Sequence, residues 1–236
     1  MDHNPYGLIA MWAQSDWVIK GVALLLLSMS IASWYIMLTR IIRLLQIKQH
    51  AHTVEKFWHA HRFTEGLSQL EQPLGNPFHA LARDAQTAVQ HHHNNHDDLQ
   101  GQISLANWLS EALRGAIDDT TEKLQSGLSI LASVGSTAPF VGLFGTVWGI
   151  YHALVAIGAS GQASIDKVAG PVGESLIMTA FGLAVAIPAV LGYNTLTRGN
   201  KNLRSKLNRF ARQLHAYFLT GSPLKNQGQE NEHAIG

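Results

Sequence analysis

The sequence predicts an all-α integral membrane protein with three transmembrane helices. Three long stretches that are nearly free of charge carry this prediction. Residues 21–39 and 124–165 contain no Asp, Glu, Lys or Arg, and residues 168–197 contain only Glu174. About 20 consecutive apolar residues span the hydrocarbon core of a bilayer. Each stretch is therefore long enough to form one membrane-spanning helix.

The composition of the chain supports a membrane protein and excludes several other classes. Of its 236 residues, 46% are hydrophobic and 14% are charged, whereas average soluble domains have about 25% charged residues. The net charge of +1 gives no reason to expect a nucleic-acid partner, and the absence of cysteine excludes disulfides and thiolate metal sites. We expect contact with membrane lipids, no cofactor and no metal.

The first element in chain order is an external N-terminal segment, residues 1–17. Its run PYGLIAMWAQSDW clusters large apolar side chains, which predicts either an interfacial amphipathic helix or a disordered terminus. The segment has no Lys or Arg, whereas a cleavable signal peptide needs a basic start. Residues 18–39 are therefore predicted to be a retained first transmembrane helix, with Trp17 and Trp34 at the interfacial levels.

A cytoplasmic helical region is predicted for residues 40–127. Apolar and polar residues alternate at helical spacing over residues 53–70 and 76–90. Two prolines and a glycine predict a turn at residues 71–77. The histidine-rich segment His91–Asp98 predicts a solvated loop, because its histidines lack the regular spacing of metal ligands.

A helical pattern restarts at Asp97 and runs into the second transmembrane helix, residues 128–156. A short periplasmic loop, residues 157–167, leads to the third transmembrane helix, residues 168–197. Residues 198–220 form a basic amphipathic helix and residues 221–236 a disordered tail. The apolar face of the amphipathic helix consists of Leu203, Leu207, Phe210, Leu214 and Phe218. The second and third helices are thus expected to extend into a cytoplasmic helical bundle.

The basic residues predict the orientation of the three spans. Of the 17 Lys and Arg residues, eight lie within residues 40–123 and seven lie from Arg198 onward. Segments rich in Lys and Arg stay in the cytoplasm. The N-terminus is therefore expected outside and the C-terminus inside.

Small residues mark the second and third spans as helices that pack closely. The predicted packing positions are Gly142, Gly145 and Gly149 in the second span and Gly173, followed by Ala180, Ala184 and Pro188, in the third. Small residues let the backbones of membrane helices approach one another. Since so short a chain encloses no pore by itself, we expect a homo-oligomeric ring around a central axis.

Glu174 is the residue with the strongest functional signal. A charge inside a membrane span costs several kcal/mol unless it is paired, hydrated or protonated. Such a carboxyl is therefore suited to take up and release a proton, and the hydroxyls of Thr146 and Thr179 can bond either of its protonation states. The structural alternatives are a glutamate that reaches the outer interface or pairs with Lys167, and threonines that bond only their own backbone.

The remaining candidate residues give weaker signals. His152, near the outer end of the second span, is interpreted as an interfacial histidine. The glycine-rich run VGLFGTVWG lacks the Gly-Lys-Ser/Thr end of a phosphate-binding loop. No arrangement typical of a nucleophilic or zinc enzyme stands out, and the chain is not predicted to be an enzyme.

Two strings carry a resemblance to a known family. APFVGLFGTVWGIYHAL (residues 138–154) and VAGPVGESLIMTAFGLAVAIPAVLGYN (residues 168–194) are similar to spans of the proton-channel family that contains MotA, TolQ and ExbB. Elsewhere the resemblance rests on topology. The ExbB branch is the nearest, and the TolQ branch is the alternative. Many family members have alanine at the positions of Ser175 and Met178, a departure that we expect to alter packing.

The resemblance implies a function in the bacterial inner membrane. Proteins of this kind form a pentamer whose central pore holds helices of ExbD. Proton flow through the pore energises TonB, which drives outer-membrane import of iron-siderophores, haem or vitamins. The family's pore glutamate matches Glu174, and its two pore threonines match Thr146 and Thr179. A Tol-Pal subunit and a non-conducting membrane scaffold are the alternative functions.

Overall fold

The structure, a computed structural model, describes residues 16–50, 53–71, 75–94, 104–160 and 165–223. Within these ranges the chain is helical apart from short turns, as the sequence predicts. The helices are α1 (Trp17–His50), α2 (Thr53–His59), α3 (Phe63–Gln69), α4 (Pro77–Asn94), α5 (Leu105–Gln125), α6 (Leu128–Ser160) and α7 (Ile165–Thr220). Within these helices, the side chains of residues 48–50, 53, 156, 160, 165–171 and 174 lie outside the described part. The predicted N-terminal segment up to residue 15 and the tail after Pro223 also lie outside it.

Three helices of the described part, α1, α6 and α7, are long and apolar enough to cross a membrane. Large apolar side chains stay exposed along all of them, for example Ile31, Phe140 and Leu191 at 62%, 69% and 61% exposure. Apolar surface of this extent is unusual on a soluble monomer and is typical of surfaces that face lipid or other protein chains. The expectation of three apolar spans is therefore confirmed.

The chain divides into two compact units, which are described separately. The first consists of residues 1–40 and 127–197, and so contains the apolar parts of α1, α6 and α7. Its buried core comprises Val22, Leu26, Val134, Ala138, Met178, Ala186 and Ala189. Three of these seven side chains are alanines. A core built from such small side chains requires the helix backbones to lie close together.

The second unit consists of residues 41–126 and 198–236. Its core is richer in large side chains, and Phe57, Leu70, Phe78, Leu109 and Phe210 are at most 4% exposed. Phe210 makes edge-on ring contacts with Phe57 and Phe78 at 5.4 and 5.7 Å between centroids. The predicted apolar face of residues 198–220 contributes to this core, since Leu203, Leu207, Phe210 and Leu214 are buried and Phe218 packs against it.

The predicted turn before α4 is held by Asn76, which is 3% exposed. Its Nδ2 donates to the Leu70 carbonyl at 3.0 Å, and its Oδ1 accepts from the Phe78 backbone N–H at 3.1 Å. Asn76 is therefore the N-cap of α4, and Pro77 occupies the first helical position, where a missing N–H costs nothing. Residues 72–74 of the predicted turn lie outside the described residues.

The structure interrupts two predicted helical runs. Residues 53–70 form two short helices, α2 and α3, because the chain bends at residues 60–62. The run predicted from Asp97 into the second span ends at Gln125, and α6 starts at Leu128. Gly127 has a φ of 83° between them. Since L side chains rarely adopt this backbone conformation, a glycine there separates α5 from α6.

The loop predicted for His91–Asp98 is wrong in its first half. Residues 91–94 form the last turn of α4, and residues 95–98 lie outside the described part. The His91 ring stacks on Trp108, with centroids 6.0 Å apart, and Trp108 Nε1 donates to the Ala88 carbonyl at 3.0 Å. These contacts with α5 extend α4 beyond the point where its polar sequence suggests a loop.

Replacement of Asn200 by alanine is expected to destabilise the second unit by about 1–3 kcal/mol. The buried Asn200 amide donates to the Leu124 carbonyl at 2.8 Å, near the C-terminus of α5, and its loss leaves a buried acceptor without its partner. Asn202→Ala, at an exposed site on the same helix, should change the unfolding free energy by less than about 0.5 kcal/mol. Denaturant unfolding of both variants in detergent measures the difference, and equal effects would contradict the assignment.

Candidate functional site

The backbones of α6 and α7 come closest at Gly142 and Gly182. A Cβ at Gly142 would lie 2.6 Å from the Met178 carbonyl oxygen and 3.0 Å from the Gly182 Cα. A Cβ at Gly182 would lie 2.6 Å from the Ala138 carbonyl oxygen. Real Cβ atoms do not approach backbone atoms this closely, so only glycine fits at either position. The two glycines fix the separation of the second and third spans.

Two further glycines of α6 lie on the same face. A Cβ at Gly145 would lie 3.1 Å from the Met178 Cβ, and one at Gly149 would lie 3.0 Å from the Ser175 Cβ. Ser175 and Met178 are 2% and 1% exposed, so the two positions predicted to depart from other family members lie in this helix contact. By contrast, a Cβ at Gly173 would meet no atom of the described residues within 4 Å. A packing role for Gly173 therefore stays a prediction.

The packing face of α7 differs from the predicted one. Ala180 and Ala184 are exposed and Pro188 is half-buried, so the small residues predicted to follow Gly173 do not form the contact with α6. Residues of α7 that do are Ser175, Met178 and Gly182, which lie beside Gly149, Gly145 and Gly142 of α6. Their spacing of three and four residues keeps one face of a helix towards its neighbour. Gly182 was not predicted, because the predicted small residues continue from Gly173 through Ala180 and lie on a different face of the helix.

Thr146 and Thr179 meet across the contact between α6 and α7. Their Oγ1 atoms are 2.5 Å apart, and Thr146 is 5% exposed. The Thr146 hydroxyl also donates to the Gly142 carbonyl at 3.0 Å. Because a hydroxyl carries a single proton, Thr179 is the donor between the two threonines. Two residues selected separately from the sequence thus form one hydrogen-bonded pair, and one of them also bonds its own helix.

Glu174 lies in α7, directly before Ser175 and five residues before Thr179. Five residues correspond to about 7.5 Å along a helix axis. The side chain of Glu174 lies outside the described residues, and so does that of Lys167, its predicted alternative partner. The structure therefore gives the position of Glu174 along the axis of α7 relative to the threonine pair. Its predicted proton role stays a prediction.

His152 lies near the C-terminal end of α6 and contacts the start of α1. Its Nε2 is 3.5 Å from Asp16 Oδ2, and its ring lies 4.8 Å from that of Trp148. Both side chains of the ion pair are more than 40% exposed. His152 is therefore separate from the Thr146–Thr179 pair, in keeping with its interpretation as a histidine near the end of a span.

The hydroxyl pair predicts a measurable coupling between Thr146 and Thr179. Valine preserves the shape of threonine and removes its hydroxyl. We expect Thr146→Val and Thr179→Val to show a coupling free energy of about 0.6 kcal/mol, the average for such bonds in membranes. Thermal unfolding in detergent of both single variants and the double variant measures it.

Thr137→Val is the control for that cycle, because the Thr137 hydroxyl is exposed and donates to the Ser133 carbonyl at 2.7 Å. In the double variant Thr137→Val/Thr146→Val, the changes in unfolding free energy of the two single variants should simply add. Coupling of equal size in both cycles would contradict a specific bond between Thr146 and Thr179.

The geometry brings polar side chains together between apolar helices. Across the described residues, no group of three or more His, Cys, Asp or Glu side chains could hold a metal ion. The buried polar residues of α6 and α7 in the first unit include Thr146 and Ser175, whose hydroxyls can donate and accept hydrogen bonds. These features define a polytopic helical membrane protein whose closely packed spans contain a hydroxyl pair near one acidic position.

Comparison with known proteins assigns the family. Residues 79–209 match the model of the MotA/TolQ/ExbB proton channel family. The chain is 46% identical over 216 residues to the biopolymer transport protein ExbB of Xanthomonas campestris pv. campestris, covering 89% of this chain and 85% of that protein. The ExbB of Neisseria meningitidis is 40% identical over 205 residues, covering 86% of this chain and 93% of its own length.

A relative from the other branch is less similar. The Tol-Pal system protein TolQ of Haemophilus influenzae is 34% identical over 185 residues, covering 76% of this chain and 79% of that protein. The chain belongs to the MotA/TolQ/ExbB proton channel family, and the predicted resemblance is confirmed.

Proposed function

We propose that this chain is the proton-channel subunit of an ExbB–ExbD–TonB complex in the bacterial inner membrane. It couples the proton motive force to TonB-dependent import of iron-siderophores, haem or vitamins through the outer membrane. The observation that carries the proposal is the partly buried Thr146–Thr179 pair between two helices that the family model matches. The pair lies five residues from the only charged residue of the third span.

The proposed assembly is a pentamer with α6 and α7 around a central pore. Its support is the apolar surface that the single chain leaves uncovered. Phe140 and Val147 on α6 and Leu176 and Ile187 on α7 are 57–69% exposed, and identical chains ordinarily cover such faces by closed rings. Glu174, Thr146 and Thr179 line the proton path in this assembly. Helices of ExbD occupy the pore, and the N-terminus is outside while residues 40–127 and 198–236 are cytoplasmic.

The energetics are compatible with such a motor. One proton that crosses about 100 mV releases about 2.3 kcal/mol. This is similar to the contribution of one hydrogen bond to a charged group, about 1.5–3 kcal/mol. A single proton can therefore drive the exchange of one such bond between a pore helix and a partner helix.

The test is proton flux in liposomes that contain the chain together with its ExbD partner. A potassium gradient with valinomycin sets the membrane potential, and a trapped pH-sensitive dye reports proton entry. We expect flux from the complex and little flux from the chain alone, because the resemblance places the accepting carboxylate on ExbD. An intact complex without flux would favour a non-conducting scaffold.

A TolQ-type role in the Tol-Pal system is the second candidate, because the TolQ of Haemophilus influenzae matches 76% of this chain. Complementation separates the two functions. Expression in cells that lack ExbB should restore growth on siderophore-bound iron, whereas expression in cells that lack TolQ should not restore detergent resistance to the same degree. The opposite pattern would assign the chain to the Tol-Pal system.

A further inference from the structure

A basic groove in the second unit is not used by the proposed proton path. It runs between α5 and the C-terminal part of α7 and has a volume of about 570 Å³. Its basic lining residues are Arg114 on α5 and Arg204, Arg212 and His215 on α7. One acidic residue, Asp118, lines it as well. The groove therefore has an excess of positive charge.

The charges of the groove are only partly neutralised within the chain. Arg204 Nη2 lies 3.3 Å from Asp118 Oδ1. The structure gives no ion pair for Arg114 or Arg212 to any residue of the described ranges. Arginine presents a planar set of donors that matches a carboxylate bidentately. Two guanidinium groups are thus available for carboxylates from another molecule.

The floor and length of the groove favour a peptide over a small anion. Leu113, Ile117 and Ala211 line its floor and are at most 7% exposed, so an occupant also meets apolar surface. Arg204 and Arg212 are eight residues apart on one helix, which separates their backbones by about 12 Å. Charges at this separation above an apolar floor match a helical segment that carries acidic and apolar residues on one face.

We propose that this groove binds an acidic amphipathic peptide segment of a partner protein. Arg114 and Arg212 pair with its carboxylates, and its apolar side chains cover Leu113 and Ile117. The assignment is independent of the proton path, because no residue of the groove belongs to the Thr146–Thr179 site. Charge complementarity selects an acidic over a basic segment.

The test is fluorescence anisotropy with the full-length chain in detergent. The probe is a labelled helical peptide of alanine, leucine and glutamate, in which the glutamates and leucines lie on one face. We expect the double variant Arg114→Gln/Arg212→Gln to bind it about tenfold more weakly than the wild type. Both arginines are exposed, so the substitutions leave the core unchanged.

The matched control is Lys206→Gln/Arg209→Gln, which removes the same charge from exposed positions of α7 that do not line the groove. It should bind like the wild type. Equal weakening in both double variants would overturn the proposal in favour of general charge attraction, and so would failure of the wild type to bind the probe. Displacement by inorganic phosphate, but not by chloride at equal ionic strength, would overturn it in favour of a small-anion site.

Discussion

Replacement of Glu174 by glutamine is expected to abolish growth on siderophore-bound iron without preventing assembly of the complex. Glutamine keeps the size of the side chain and its hydrogen-bonding capacity, but it cannot bind and release a proton. If Glu174 carries protons, growth should fall to the level of cells that lack the protein. Proton flux in liposomes should fall to that of protein-free vesicles. The measurement is growth with siderophore-bound iron as the only iron source, together with protein amount and complex size.

Glu122→Gln serves as the control for that experiment. Glu122 is an exposed carboxylate of α5, outside the three apolar spans, and its replacement should leave growth unchanged. Normal growth of the Glu174→Gln variant would support the scaffold function and remove the proton role of Glu174. Loss of growth with loss of the assembled complex would instead show that Glu174 acts through packing.

Replacement of Gly142 by alanine is expected to destabilise the contact between α6 and α7. The added Cβ would lie 2.6 Å from the Met178 carbonyl oxygen, so α6 and α7 must separate. Overpacking of this kind costs about 1–3 kcal/mol, and separation of the helices also stretches the Thr146–Thr179 bond. The midpoint of thermal unfolding in detergent should fall, and activity should fall with it.

Gly21→Ala provides the matched control, because a Cβ at Gly21 would meet no atom within 4 Å. Both variants replace a helical glycine by alanine, which raises the helix propensity equally. The difference between their unfolding midpoints therefore measures the effect of the helix contact. The double variant Gly142→Ala/Gly182→Ala should cost less than the sum of its single variants, since the first methyl group already separates the helices. Equal midpoints for Gly142→Ala and Gly21→Ala would contradict the close approach.

The long apolar helices could be predicted from the sequence because membrane insertion leaves a strong signal. Stretches of about 20 residues without charge are rare by chance. Inside a bilayer, a single segment can hydrogen-bond its own backbone N–H and C=O groups only by forming a helix. The helix ends depended on single residues. Two prolines and a glycine predicted the turn before α4, whereas its N-cap Asn76 was found only in the structure. The end of α5 depends on one glycine with positive φ, Gly127.

The candidate site was predictable in its residue types but not in its geometry. Thr146 and Thr179 were selected because hydroxyls inside a membrane span suit proton chemistry, yet their pairing depends on the register between α6 and α7. That register is set by the contact of Gly142 with Gly182, and the spacing of small residues permitted several registers. The end of α4 was missed for a similar reason, because the stacking of His91 on Trp108 is a tertiary contact.

The bond from Thr146 to the Gly142 carbonyl sets the direction in which the two hydroxyls donate. With the Thr146 proton committed to that carbonyl and the Thr179 proton committed to Thr146, the oxygen of Thr179 retains lone pairs and no free proton. A group that approaches Thr179 therefore meets an acceptor. A donor can bond this oxygen with both existing bonds intact, whereas an acceptor can bond Thr179 only after one of the two bonds is given up. A change of partner at Thr179 therefore alters the contact between α6 and α7.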